Sequence, residues 1–305
     1  MTLPPDDLPK LLHRSSEASK RDFGRVLVIG GSPGMAGAPA LTGMAALRSG
    51  TGIVELTVPE PVAAVAAGFD PCLITYGLAA GFTGTFAAAK VDEILNRALS
   101  ASALAIGPGL GRSDEVLALT ARLWREARVP AVFDADALWA LAQGIALPLA
   151  EHAGPRVVTP HAGEMLRLAG QEPGGSQSTD RRLLAALATS FAAAADAVVV
   201  LKGPGTLVIG YGREAVNETG NVGMATAGTG DVLTGVVAAL LAQGMEPFAA
   251  ARLAVWVHGA AGDVAAADLG PISMTARDLL DRLHLGFRSL PPPESSETMR
   301  RPQSA

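Results

Sequence analysis

The residues best placed to do chemistry lie in the stretch 217–235, NETGNVGMATAGTGDVLTG, and above all in its centre, Ala227-Gly228-Thr229-Gly230-Asp231. Glycines directly ahead of the apolar run 232–242 put successive backbone N–H groups at a helix N-terminus. Such groups bind anions, and the helix dipole adds to their pull. Asp231 could serve there as a helix cap, but a cap has no need of Gly228 and Gly230 in front of it. A carboxylate beside an anion hole can instead take the proton of a hydroxyl that attacks a phosphate, and Asp231 is expected to be catalytic in that sense. Lys202-Gly203-Pro204-Gly205-Thr206 follows the apolar run 197–201 and offers a cation beside open N–H groups, as a nucleotide phosphate requires. A lysine that merely ends a strand in solvent is the plainer alternative. His161 and Glu164, three residues apart after Pro160, share a face if a helix starts there, although a glutamate in a first helical turn is common in any case. Asp134 and Asp136 could orient a metal or cap the next helix, and capping is the expectation.

Other signatures fail on physical grounds. Gly30-Gly31-Ser32-Pro33-Gly34 has the G-x-S-x-G spacing of a nucleophile elbow. An elbow, however, takes an oxyanion donor from the N–H of the residue after the serine, and Pro33 has none. No stretch fits the P-loop spacing, and Arg112 stands where the dinucleotide fingerprint needs a glycine after Gly107-Pro108-Gly109-Leu110-Gly111. His13, His152, His161, His258, His284 and the single cysteine, Cys72, show no zinc-ligand spacing.

Positioning such groups is the work of the elements around them. Short β-rich runs at 26–30, 53–58, 103–106, 131–134, 156–159, 197–201 and 206–209 alternate with helical stretches at 36–49, 85–99, 114–126, 181–195 and 231–242. That alternation predicts an α/β fold with a largely parallel sheet covered on both faces. Runs such as VLVI and AVVVL are apolar throughout, as strands buried on both sides must be. The last third, with stretches 247–268 and 274–283, reads as helical. The glycine clusters follow strands, on the rim where open α/β sheets bind ligands.

The chain has 305 residues, 24 basic and 29 acidic, for a net charge of −5. The acidic balance argues against nucleic-acid binding. The run 192–201 is broken by Asp196 and falls short of the ~20 residues of a membrane span. One cysteine suits a reducing cytoplasm. Residues 1–22 read as a polar leader, 23–290 as a single domain, and 291–305, PPPESSETMRRPQSA, as a disordered tail.

In this order the motifs resemble the ribokinase-like superfamily and, within it, the ADP-dependent NAD(P)H-hydrate dehydratases. The resemblance covers about residues 24–285 and rests on GRVLVIGGS, GAPALTGMAALRSGTGIV, AIGPGLG, DADAL, TPHAGEM, LKGPGT and NETGNVGMATAGTGDVLTG. It implies a three-layer α/β/α sandwich and repair of NADHX and NADPHX, nicotinamide dinucleotides damaged by addition of water. The hydrate is then expected at Ala38, Gly111, His161 and Asp231. ADP is expected at Lys202, Gly203, Pro204, Gly205 and Thr206, with Gly228, Thr229 and Gly230, and Mg²⁺ at Glu164. Val222 stands where the family usually has proline, and Thr229 where serine is commoner. Too little chain precedes Gly24 for the epimerase domain fused in many bacterial relatives, so a separate epimerase is expected as partner, with a homotetramer as assembly. A thiamin-precursor kinase of the same superfamily is the alternative, although many such kinases carry asparagine where this chain has His161. A nucleotide sensor without turnover would have no use for Asp231.

Overall fold

The computed structural model describes residues 3–144, 148–174 and 180–292. One sheet of nine strands runs through the molecule in the order β3-β2-β1-β4-β5-β6-β7-β8-β9. The strands are β1 (Arg25–Ile29), β2 (Ile53–Pro59), β3 (Ile74–Leu78), β4 (Ala103–Ile106), β5 (Ala131–Phe133), β6 (Arg156–Val158), β7 (Val198–Leu201), β8 (Thr206–Gly210) and β9 (Arg213–Asn217). All pairings from β3 to β7 are parallel, and β8 and β9 add an antiparallel hairpin.

Side-chain alternation divides the interior into two cores. Val26 and Val28 of β1 enter one, and Leu27 and Ile29 the other. The first core is closed by α1 (Gly37–Arg48), α2 (Glu60–Ala67), α8 (Thr229–Ala242), α9 (Pro247–Leu269) and α10 (Ala276–Arg288). The second is closed by α3 (Val91–Ala98), α4 (Asp114–Glu126), α5 (Asp136–Leu141), α6 (Ala162–Leu168) and α7 (Arg181–Ala195). This is the three-layer α/β/α sandwich expected from the alternation. The stretch 85–99 departs from expectation, since only Val91–Ala98 is α-helical and Ala88–Lys90 forms a 3₁₀ turn before it.

Residues 3–22 carry no helix or strand but lie against the sandwich. Leu8 is buried in the first core, Arg252 holds the Asp7 carboxylate at 2.9 Å, and Arg14 stacks on Phe23 while donating to the Gly50 carbonyl. Of the tail expected to be disordered, residues 293–305 lie outside the described residues. Among the described residues no helix is long and apolar enough to cross a membrane.

Strand β1 is flanked by β2 and β4, so the direction of winding reverses there, and the crevice at the carboxyl ends of these two strands is the expected ligand site. Its two loops are tied together: the Gly31 N–H donates to the Pro108 carbonyl at 3.0 Å. Gly107 makes the turn out of β4 at φ +120°, and a Cβ there would collide with the Asp134 carbonyl of the neighbouring strand end. Only glycine satisfies both conditions.

Candidate active site

The start of α8 is an open anion cradle. Gly228 takes the N-cap position at φ +92°, where a Cβ would sit 2.9 Å from both Ala276 and Leu41. Val232 is the first residue to close the helix, donating to Gly228 at 3.1 Å. The N–H groups of Thr229, Gly230 and Asp231 therefore have no partner among the described residues. The Thr229 hydroxyl turns inward to the Met224 and Thr226 carbonyls, at 2.8 and 3.0 Å. What Thr229 offers an anion is its N–H alone, so threonine in place of serine changes nothing at the cradle. Beneath it, His258 of α9 donates from Nε2 to the Thr229 carbonyl at 2.9 Å. Burial drops His258 to about 4, so this brace stays neutral at physiological pH.

Asp263 of α9 pins the loop that leads into the cradle. Its carboxylate accepts from the Gly220 N–H and from Asn221 Nδ2, both at 3.0 Å. Sequence reasoning missed Asp263, although a lone carboxylate in the apolar stretch 254–266 was a signal. Val222 opens the 3₁₀ turn Val222–Met224 with its side chain in solvent, so the departure from proline disturbs no core.

The opposite wall comes from the ends of β5, β6 and β7. Lys202 Nζ lies 2.8 Å from Asp134 Oδ1 and 3.7 Å from Glu164 Oε2. It is not the solvent lysine of the plainer alternative. Burial works against its charge, but Asp134, Glu164 and Asp231 outweigh that and hold its pKa above the ordinary lysine value. Asp134 is only 1 % exposed, and its Oδ2 accepts from Thr234 of α8 at 2.8 Å.

Helix capping by Asp134 and Asp136 is therefore corrected. The N-cap of α5 is Ala135, with no side-chain bond. Asp136 accepts instead from the Gly111 N–H at 2.9 Å and from Arg112 Nε at 3.1 Å. Between the two carboxylates Ala135 sits at φ +50°, ψ −119°, a conformation that costs a residue with a Cβ about 1–3 kcal/mol. This turn sends Asp134 towards Lys202 and Asp136 towards the loop after β4.

His161 caps α6: its Nδ1 accepts from the Gly163 and Glu164 N–H groups, while Glu164 Oε2 accepts from the His161 N–H at 2.8 Å. Glu164 and His161 do face each other as the spacing implied, with Nε2 3.4 Å from Oε1. Burial raises the Glu164 pKa, with Asp134 adding to the shift and Lys202 opposing it.

Asp231 completes the site. Burial, then the charges of Asp134 and Asp136 against the opposing pull of Lys202, raises it to about 7. A carboxylate poised there is suited to accept a proton at neutral pH. The structure thus brings Asp231, Lys202, Glu164 and His161 together around Asp134. Gly203–Thr206 form the turn between β7 and β8, where Thr206 Oγ1 is committed to the Gly203 carbonyl and Arg181 to that of Gly205. Gly111 and Ala38 lie on the far rim, where a Cβ on Gly109 would sit 3.2 Å from that of Ala38. Gly111 gives its N–H to Asp136, and at φ +82° a Cβ there would run into Thr85 at 2.7 Å, so glycine is required by packing and backbone conformation. The Ser32 hydroxyl is buried without a partner among the described residues, so nothing activates it as a nucleophile.

At Gly230 an added Cβ would meet Lys202 Nζ at 3.4 Å and Asp134 Oδ2 at 3.6 Å, ordinary contacts in a helical conformation. Gly230→Ala is expected to fold with an unchanged melting temperature yet to bind a nucleotide phosphate roughly tenfold more weakly by calorimetry, because the methyl group fills the cradle.

The sequence matches the profile of the NAD(P)H-hydrate dehydratase family over residues 26–285. It is 43% identical over 282 residues to the bifunctional NAD(P)H-hydrate repair enzyme Nnr of Moorella thermoacetica, covering 92% of this chain and 52% of that protein. The chain thus spans about half the length of the curated relatives it matches. Among solved structures, the ADP/ATP-dependent NAD(P)H-hydrate dehydratase of Bacillus subtilis, co-crystallized with ATP/Mg²⁺, superposes with a TM-score of 0.74 at 27% identity, covering 93% of this chain and 99% of that one. A ribokinase-like superfamily protein of Enterococcus faecalis gives 0.76 at 25% identity, covering 92% of each chain. With its ribokinase-like sandwich and a profile match that runs from the first strand to the last helix, the chain belongs to the NAD(P)H-hydrate dehydratase family.

Proposed function

We propose that this chain dehydrates the S epimer of NADHX and NADPHX back to NADH and NADPH at the expense of ADP, releasing AMP and phosphate. Hydroxide leaves poorly from the reduced pyridine ring, so the hydroxyl must first be made a better leaving group. Asp231 accepts the proton of that hydroxyl, whose oxygen attacks the β-phosphorus of ADP as the bond to the AMP oxygen breaks. The N–H groups of Thr229 and Gly230 and the Lys202 ammonium take up the charge on the transferred phosphoryl group. The ring-nitrogen lone pair then expels phosphate, and loss of a neighbouring ring proton restores the dihydropyridine. The observation that carries this reading is a carboxylate, Asp231, whose pKa burial raises to about 7 and which is set beside free helix N–H groups within the field of Lys202.

Among the described residues no three metal-ligating side chains converge. That fits Mg²⁺ arriving on the nucleotide phosphates, since this ion keeps waters and phosphate oxygens as ligands rather than requiring a protein cage. When bound it would neutralise phosphate charge, and Glu164 would be the carboxylate to meet it. A cytoplasmic setting, an epimerase activity to supply the S epimer and a homotetrameric assembly belong to the same proposal.

The test is recovery of absorbance in the NADH band from NADHX, with ADP or ATP offered in turn with Mg²⁺. Recovery with ADP is the expected result. Recovery with ATP alone would overturn the ADP assignment. Consumption of ATP with a pyrimidine or thiazole alcohol, and no recovery, would make the protein a kinase.

A further inference from the structure

At the carboxyl ends of β4, β5 and β6, beyond His161 and Glu164, lies a small cavity of about 60 Å³. Arg112, Trp139, His161, Glu164 and Arg167 are among its lining residues. Its cations are largely uncommitted. Arg167 is exposed and acts on Glu164 only through its charge, with no ion pair closer than 4 Å among the described residues. Arg112 gives only Nε to Asp136 and stands 5.4 Å from the centre of the Trp139 ring. Because His161 Nδ1 is an acceptor in the helix cap, the neutral ring carries its proton on Nε2 and is a donor. The Glu164 charge is offset by Lys202 on the other side. His161 Nε2 faces Glu164 Oε1 at 3.4 Å, so what the cavity presents to a ligand is two guanidinium groups and the face of an indole. Guanidinium forks match phosphate oxygens, and an indole face accepts a planar ring.

We propose that Arg112 and Arg167, with Trp139 beside them, form a phosphate subsite for the dinucleotide substrate, separate from the cradle at α8. The inference rests on the dehydratase reading for its ligand. Glu164 lines the cavity and also lies 3.7 Å from Lys202, so the cavity adjoins the site where the reacting ring would meet Asp231, and a dinucleotide is long enough to reach from one to the other. Both dinucleotides carry a diphosphate, and only the phosphorylated form adds a monoester, so either group could fill the subsite.

The experiment compares the wild-type enzyme with Arg112→Gln, Arg167→Gln and the double variant. It measures kcat and KM for NADHX and NADPHX, and binding of NADH and NADPH by nicotinamide fluorescence. Arg167 and Arg112 are both exposed, and Asp136, the mostly buried partner of Arg112, keeps its bond from the Gly111 N–H when Arg112 is replaced, so the variants are expected to fold. The double variant is expected to raise KM and the dissociation constant roughly tenfold or more, with kcat within about twofold of wild type. A loss confined to the phosphorylated dinucleotide assigns the subsite to the monoester, and an equal loss for both assigns it to the diphosphate. Values within about twofold of wild type for both dinucleotides overturn the proposal, as does a wild-type protein that binds neither. A wild type that turns over neither hydrate, yet binds NADPH through these arginines, sinks the dehydratase reading and leaves the subsite standing.

Discussion

Asp231→Asn is expected to keep its fold and its affinity for nucleotide while losing at least ~10²-fold in turnover, the usual size of a general-base contribution. The variant removes one proton acceptor and leaves the cradle N–H groups, Lys202 and its partner Asp134 in place. With its pKa near 7, Asp231 is half ionised at neutral pH, so wild-type kcat should rise through that region as the base form fills, and the variant should lack this limb. Stability moves the other way. The folded-state pKa lies above the ordinary aspartate value of 3.8, so the folded protein holds the proton more tightly than the unfolded chain. Ionising Asp231 then costs stability as pH climbs from about 4 to about 7, and the full cost is present above that. Asparagine carries no such charge. Its melting temperature should exceed that of wild type by about 2–4 °C at about pH 8, the equivalent of ~1 kcal/mol in a domain of this size, and the gap should close in mild acid. Near-normal turnover would remove Asp231 from the chemistry. An unchanging gap in melting temperature would place its carboxylate in water.

The central strands and the anion cradle were legible in the sequence for opposite reasons. VLVI and VVVL are buried on both faces, so their apolar runs are long and unmixed. The cradle was legible because Gly228 and Gly230 stand directly ahead of an apolar helix, although the left-handed φ of +92° gives Gly228 a structural reason of its own. Both edge strands escaped notice. ITYGL of β3 has four of its five residues outside the core, and REAVN of β9 is charged at its start, so neither shows the apolar run of a central strand. Helix α2 is short and carries a proline in its first turn, which reads as a turn signal. In the site, Lys202 and Asp231 announced themselves through neighbouring glycines, whereas Asp134 looked like a cap because the geometry at Ala135 cannot be read from residue types. One clue was available: Thr234 lies three residues after Asp231 in an otherwise apolar helix, on the same face, and a hydroxyl buried there needs a partner.

That partner is the basis of the second large effect. Asp134 satisfies Lys202 and Thr234 at once from a nearly inaccessible position, so Asp134→Ala leaves a half-buried ammonium and a buried hydroxyl without their acceptor. Breaking such a pair from one side costs roughly 3–5 kcal/mol, and a fall in melting temperature of the order of 10 °C is expected. Asp134→Asn keeps the shape and an oxygen for Thr234, so its loss of stability should be smaller. In both variants a negative charge facing Asp231 disappears and Lys202 turns its charge more fully on the remaining carboxylates. The Asp231 pKa should then move down from about 7, and the acid limb of kcat should shift to lower pH with it. The pH profile of Asp134→Asn separates the two influences on Asp231. A limb that stays near neutrality would mean that burial alone sets it, whereas a shift towards acid would show that β5 tunes the base on α8 across the width of the site.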